Sequence, residues 1–289
     1  MSKLYKIIII LAITGIILCG IGFVGGGYLG MYMDKTGWHP YTRQGQVASQ
    51  TFDDVKKIDV KGKDGRIEVI EGERFEVLTR YYSNAPEITF NNGILTVRSA
   101  RNTTWLNIGF NFRSEKITVK IPENADLERL NIENDNGSIY ISNKMFAKNF
   151  SVYNDNGSIE IEDITSENAV IQNKNGSIAL TDFASVIGDV SNKNGSIKLF
   201  NFATVEGKIS NQNGSITGDD IKGKNQFINE NGSIKLSAFN LADFYIQTYT
   251  ENGTCRLNGD KIKRPIGDID STNQIIAENQ NGSVKIFDK

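Results

Sequence analysis

Asn134-Asp135-Asn136-Gly137-Ser138-Ile139 is the stretch whose reading decides the fold. It recurs with glycine at 157, 176, 195, 214 and 232, and more loosely at 253 and 282. Successive glycines are 20, 19, 19, 19, 18, 21 and 29 residues apart. Self-similarity at a near-constant period marks a repeat architecture. Aligned on the glycine, the second residue after it is apolar throughout: Ile139, Ile159, Ile178, Ile197, Ile216, Ile234, Cys255 and Val284. The fourth is Ile141, Ile161, Leu180, Leu199, Gly218, Leu236, Leu257 and Ile286, with Gly218 alone breaking the column. Five residues before the glycine stand Ile132, Val152, Ile171, Val190, Ile209 and Phe227. Polar residues fill the gaps, so each copy is a pair of short half-buried strands with period-2 alternation. The pairs Asn136–Gly137, Asn156–Gly157, Asn175–Gly176, Asn194–Gly195, Asn213–Gly214 and Asn231–Gly232 supply the corner, because both residue types tolerate positive φ.

Two architectures satisfy this pattern. Asn-Gly between alternating strands is a strong hairpin signal, which allows an antiparallel meander. Such a meander leaves one apolar face open unless a second layer covers it. A β-solenoid buries that face by winding each copy into one coil. It also stacks Asn134, Asn154, Asn173, Asn192, Asn211 and Asn229 at about 4.8 Å, where side-chain amides can bond along the stack. The expected fold is therefore all-β, a parallel β-helix-like solenoid of about 19-residue coils preceded by one N-terminal transmembrane helix.

The chain has 289 residues, 39% of them hydrophobic, with a formal net charge of −2, which fits a folded domain and gives no footprint for nucleic acid. The only histidine, His39, leaves no material for a His-based triad or metal cluster. Cys19 lies in an apolar run and Cys255 at an inward strand position, so no disulfide framework is expected and no cofactor is implied.

In chain order, residues 1–6 carry Lys3 and Lys6 as a cytoplasmic stub, and residues 7–33 carry no charge. That run predicts an uncleaved single-pass anchor, N-terminus cytoplasmic and C-terminal domain extracytoplasmic, rather than a signal peptide. Gly22, Gly26 and Gly30, spaced by four, would form a stripe suited to helix packing and a homo-oligomer. Residues 34–50 read as a linker. Residues 51–123 read as degenerate coils forming an N-terminal cap, with Gly65 and Gly93 in the place of Gly137. An aromatic insertion at 101–115 offers Trp105, Phe110 and Phe112 as a core cap or an exposed contact flap. Residues 124–289 form the regular solenoid, and the final strand at the terminus carries charges that discourage edge pairing.

Few residues suggest chemistry. Asp163, Asp182, Asn201 and Asp220 follow the outer apolar column on successive copies. Stacked carboxylates could bind a hard cation such as Ca²⁺, or with Lys198 serve a polysaccharide lyase or hydrolase. Turn chemistry accounts for the same column, since Asp and Asn bond their own backbone and an apolar residue follows each. Asp219 with Asp220 is the best paired carboxylate available for acid/base work, adjacent in sequence where Gly218 interrupts the core column. No catalytic residue is assigned. Asn-Gly-Ser or Asn-Gly-Thr is also a glycosylation sequon, which turn chemistry explains.

The charged stub, the Gly-rich apolar segment, the opening Phe52…Ile58-Asp59-Val60, the lead-in Ile117 to Pro122 with Leu127 and Leu130, and the Gly-x-Ile repeats together resemble the β-strand-repeat "putative adhesin" domain. That domain occurs in membrane-anchored proteins of Gram-positive bacteria, LiaG-like proteins of envelope-stress operons among them. The resemblance covers residues 52–289 and implies an all-β repeat fold outside the membrane, with no catalytic residue or cofactor to carry over. Three functions follow as expectations: a non-enzymatic anchored module binding an envelope polymer or another surface or membrane protein, an accessory of an envelope-stress system, and a β-helical polysaccharide-cleaving enzyme.

Overall fold

In a computed structural model the chain is described over residues 3–24, 30–34, 37–40, 45–82, 84–100, 106–109 and 114–289. The alternating copies stack in parallel. Ile139 pairs with Ile159, Ile159 with Ile178, Ile178 with Ile197, Ile197 with Ile216 and Ile216 with Ile234. The arrangement is a solenoid-like repeat, not the meander of antiparallel hairpins. The strands Ile159–Asn175, Ile178–Asn194 and Ile197–Asn213 each run from one glycine corner almost to the next. Their inward columns are fully buried, and Phe183 stacks on Phe202 with ring centroids 5.7 Å apart.

The corner is built by two asparagines and a glycine. Gly157 donates its N–H to the Asn175 carbonyl of the next coil at 2.8 Å. The Gly157 carbonyl accepts from Nδ2 of buried Asn173, also of the next coil, at 2.9 Å. The same bond joins Asn154 to Gly137, Asn192 to Gly176, Asn211 to Gly195, Asn229 to Gly214 and Asn279 to Gly232. Outside, the second asparagine of each motif forms a one-way amide chain. Asn252 donates to Asn281, then Asn231, Asn213, Asn194, Asn175, Asn156 and Asn136 follow, each contact 2.9–3.1 Å. Asn136 closes the chain by donating to the Asp64 carboxylate at 2.8 Å. The aligned amides polarise one another, and the anion sits at their N–H end.

Coil order in space differs from coil order in sequence at both ends. Residues 273–288 do not form the last coil. Asn281 and Val284 pair with Asn231 and Ile234 on one side and with Asn252 and Cys255 on the other. The Gly282 coil is thus inserted between the Gly232 and Gly253 coils, and the expectation that the final strand is an edge is corrected. At the other end, Lys57–Gly72 lies between residues 126–142 and a composite level made of 94–98 and 115–122.

The N-terminal cap also departs from degenerate coils. Asn92–Gly93 is a two-residue turn joining antiparallel Glu87–Asn91 and Ile94–Arg98, with φ of 50° and 75°. Both residues being left-handed gives a hairpin turn, whereas at the Asn-Gly corners of the coils only the glycine has positive φ. Phe75–Tyr81 pairs antiparallel with both Gln46–Phe52 and Glu115–Pro122. Residues 34–50 are therefore not a plain linker: Gly37–Pro40 and Gln46–Phe52 are strands.

Helix α1 spans Lys3–Val24 and not residues 7–33. Gly30–Asp34 is a strand paired with Gly37–Pro40 and Leu106–Gly109. Repeated glycine lowers helix persistence, and extended pairing supplies other partners for the backbone. A helical Gly22–Gly26–Gly30 stripe does not form, since Gly30 is in the strand and Gly26 lies outside the described residues. Among the described residues no helix is long and apolar enough to cross a membrane.

Two predictions follow from the stacking. Gly176 has φ of 127°, and a β-carbon there would lie 2.1 Å from the Gly157 carbonyl oxygen. Gly176→Ala should lower stability by about 3 kcal/mol or more, whereas Gly259→Ala, left-handed but in open space, should lose only about 1 kcal/mol, as read by urea unfolding. Second, a chain ending at Gly259 should leave residues 244–257 without hydrogen-exchange protection, because both their parallel ladders run to residues 273–288. Sequential stacking would instead keep them protected.

Candidate functional site

The acidic column is placed by backbone conformation. Asp163, Asp182, Asn201 and Asp220 have φ of 60°, 50°, 47° and 57°, the left-handed corner before the chain re-enters the core. Asn201 Nδ2 donates to Asp182 Oδ1 at 2.5 Å, and Asp220 is held by Lys222 at 3.3 Å. The column thus works as a row of turn residues. No group of three or more His, Cys, Asp or Glu among the described residues is placed to hold a metal ion. Trp105, Phe110 and Phe112 lie outside the described residues. Lys198 points outward on the strand after its corner, on a different part of the coil from Asp182 and Asp220. Asp219 is engaged by Ser237 and by Lys289, the latter at 2.9 Å, and these contacts hold its carboxyl below the usual carboxylate range.

The outward columns differ along the axis. Three residues after each corner glycine, in spatial order, stand Glu68, Tyr140, Glu160, Ala179, Lys198, Thr217, Lys235, Lys285 and Arg256. At the N-terminal end Glu68 is clasped by Arg66 at 2.8 Å and Lys116 at 2.6 Å. At the C-terminal end, unlike Lys222 and Lys289, the column's Lys198, Lys235, Lys285 and Arg256 carry no ion pair among the described residues. Beside them run Phe200, Asp219, Ser237 and Phe287, and an open cleft of about 400 Å³ is lined by Thr217, Asp219, Lys235, Phe287 and Lys289 among others. Lys289 lies 5.7 Å from the Phe200 ring centre and 5.3 Å from that of Phe239, and Lys235 5.7 Å from that of Phe287. Sequence reasoning missed this surface. Its signal was the interrupted core column at Gly218 and the cations at equal offsets from successive glycines, but the true neighbour of Lys235 is visible only once residues 273–288 are seen to be inserted.

A second cleft, of about 820 Å³, lies near the N-terminal end among Lys61, Lys63, Glu87, Arg98 and Asp135. Close by, burial pushes Glu115 above the ordinary carboxylate range, reinforced by the charge of Asp64 and opposed by a Ser99 hydrogen bond. Raised carboxylates are candidate acids, but they also arise in structural ion networks.

The profile of the family described as Toastrack DUF4097 matches residues 55–286. No curated protein matches the chain. Among solved structures, a "putative adhesin" from Bacteroides fragilis is 15% identical, with a TM-score of 0.51 over 85% of this chain and 98% of that one. A "putative cell adhesion protein" from Clostridium sporogenes is 12% identical, with a TM-score of 0.37 over 85% of this chain and 100% of that one. A "putative lipid binding protein" from Parabacteroides distasonis is 12% identical, with a TM-score of 0.46 over 85% and 98%. The likeness to the first of these is one of fold.

The pH prediction concerns Glu115. Its folded pKa lies above the ordinary 4.5, so the native state binds the proton more tightly and ionisation costs stability as pH rises through the folded value. Glu115→Gln should therefore melt about 2 °C above wild type at pH 7, a gain limited by solvent screening, and match it at pH 4. A difference that is equal at both pH values would assign the effect to packing.

Proposed function

The chain belongs to the Toastrack DUF4097 family, and from that premise we propose that it is a non-enzymatic interaction module, membrane-anchored at its N-terminus and displayed outside the cell. The observation that carries this reading is the division of labour within each coil. Inward columns are spent on the core, and corner residues on inter-coil hydrogen bonds. Sequence variation is left to outward columns on a broad stacked face, which suits a surface that holds an extended polymer or another surface protein.

Anchoring is supported by α1. Its described apolar side chains, Ile7, Ile10, Leu11, Ile16 and Leu18 among them, are exposed, and such a surface needs an apolar cover. Lys3 and Lys6 precede the run, which favours a cytoplasmic N-terminus. Placement with the LiaG-like proteins of Gram-positive bacteria is part of the same proposal, resting on the Ile117-to-Pro122 lead-in and the Gly-x-Ile repeats.

The full chain, made in a bacterial host, should remain with membranes after an alkaline carbonate wash, and protease added to intact protoplasts should digest the repeat domain. Purified protein should co-sediment with isolated envelope. Release by carbonate, or protection from the protease, would refute the anchored and displayed arrangement.

A further inference from the structure

We propose that the outward face of the C-terminal coils is a binding site for a linear polyanion, an extended polymer bearing phosphate or carboxylate at regular intervals. The inference deepens the reading of the protein as an envelope-binding module and rests on it for its biological setting. Lys198, Thr217, Lys235, Lys285 and Arg256 stand directly opposite one another on consecutive levels. Strand spacing places those levels about 4.8 Å apart, so four cations and one hydroxyl occupy a row of about 19 Å. All four cations are exposed, and none forms an ion pair among the described residues. Like charges directly opposed on neighbouring strands destabilise a sheet. Elsewhere opposed cations have a carboxylate at hand: Glu68 bridges Arg66 and Lys116, and Lys61, which faces Arg98, is paired with Glu133. The row is therefore a fixed excess of positive charge at β-strand spacing, on a chain whose net charge is −2.

Three further features favour an extended polymer over a single anion. The cations form a line and do not converge on one point. Phe200 and Phe287 flank the line, with Phe239 at its side, and offer flat apolar contact to a polymer backbone. The nearest carboxylate on the adjoining column, Asp219, is already neutralised by Lys289 and bonded to Ser237. Towards the N-terminal end the same column turns to Ala179 and Glu160, which sets the end of the site and its direction along the axis.

The test measures binding of the full-length chain in detergent to long-chain polyphosphate, polygalacturonate and neutral dextran over a range of salt. The two charged polymers separate phosphate from carboxylate recognition. Wild type should bind at least one polyanion and not dextran. Lys235→Gln with Lys285→Gln should weaken that binding by about tenfold or more and lower the log–log salt slope by about two, as loss of two counterion-releasing contacts requires. Lys208→Gln with Lys224→Gln, two exposed lysines on the strands before the corner, makes the same charge change on another face and should alter affinity less than about twofold. The Lys235/Lys285 variant should melt at or above the wild-type temperature, since it removes opposed like charges. Equal weakening by both double variants, or no polyanion binding by wild type, would overturn the proposal. If wild type and the Lys235/Lys285 variant sediment equally with envelope, this site is wrong while the interaction-module reading stands. If polyanion binds but envelope does not, the site stands and that reading falls.

Discussion

Each coil must turn a corner, and at that corner the β-ladder stops serving the glycine carbonyl. A buried carbonyl without a donor costs on the order of 1–3 kcal/mol, and it would be repeated at every level. The inner asparagine of the next coil removes the cost by donating Nδ2 to it, as Asn173 does to Gly157. The arrangement is not free of compromise. Oδ1 of Asn134, Asn154, Asn173, Asn192, Asn211 and Asn229 is buried with no hydrogen-bond partner. One acceptor is thus left unpaired so that another is satisfied, and the carbonyl whose position fixes the corner takes precedence. Glycine is demanded by the same contact, because φ near 130° and the preceding glycine oxygen leave no room for a β-carbon. At the N-terminal boundary Gly62 replaces the inner asparagine. A β-carbon there would fall 2.5 Å from Asn134 Oδ1, so the missing side chain makes space for the next coil's amide.

Stacked coils bury their ladders everywhere except at the two ends, where unpaired backbone invites further strands. Both chain-terminal portions of the solenoid are drawn one level inward: Lys57–Gly72 behind the composite level of 94–98 and 115–122, and residues 273–288 behind 244–257. The segments most prone to fraying then have partners on both sides. The exposed end levels are instead made of chain held at both extremities, and they are trimmed by short antiparallel additions, which at the C-terminal end are Asp260–Lys261 and the bridge from Ile246 to Ile266.

 At the N-terminal end the additions are Phe75–Tyr81 followed by Gln46–Phe52, and Glu87–Asn91.

Most of the solenoid was legible in the sequence because its constraints are local and repeated. Alternation, the corner glycine and the stacking asparagines each recur at a fixed offset, so that once the solenoid is preferred to the meander the parallel register follows from the alignment. What was not legible depends on non-local competition. Asn92–Gly93 and Asn136–Gly137 are the same dipeptide, yet one makes a hairpin and the other a corner. The difference is whether the following strand pairs back on its predecessor or climbs to the next level, and no residue at the turn records it. The position of residues 273–288 was hidden for a related reason. Their motif fits more than one level, and the pairing with strands on both sides is what distinguishes insertion from simple succession. That Gly30–Asp34 is strand and not helix reflects its pairing with Leu106–Gly109, a partner far away in sequence.

The candidate binding face follows from the same repetition. A solenoid with identical inward and corner columns fixes every outward side chain on a grid, so a charge placed at one offset is brought into line with its counterparts whether or not they repel. In an irregular fold such repulsion is relieved by side-chain divergence over a curved surface. Here strand pairing holds Lys235 opposite Lys285, and Lys285 opposite Arg256. Threading the Gly282 coil between its neighbours makes Lys285, in place of Arg256, the cation beside Lys235. The segment that is paired on both sides therefore also supplies the central cation of the three, so that one segment serves both the stability of the C-terminal end and the chemistry of the outward face.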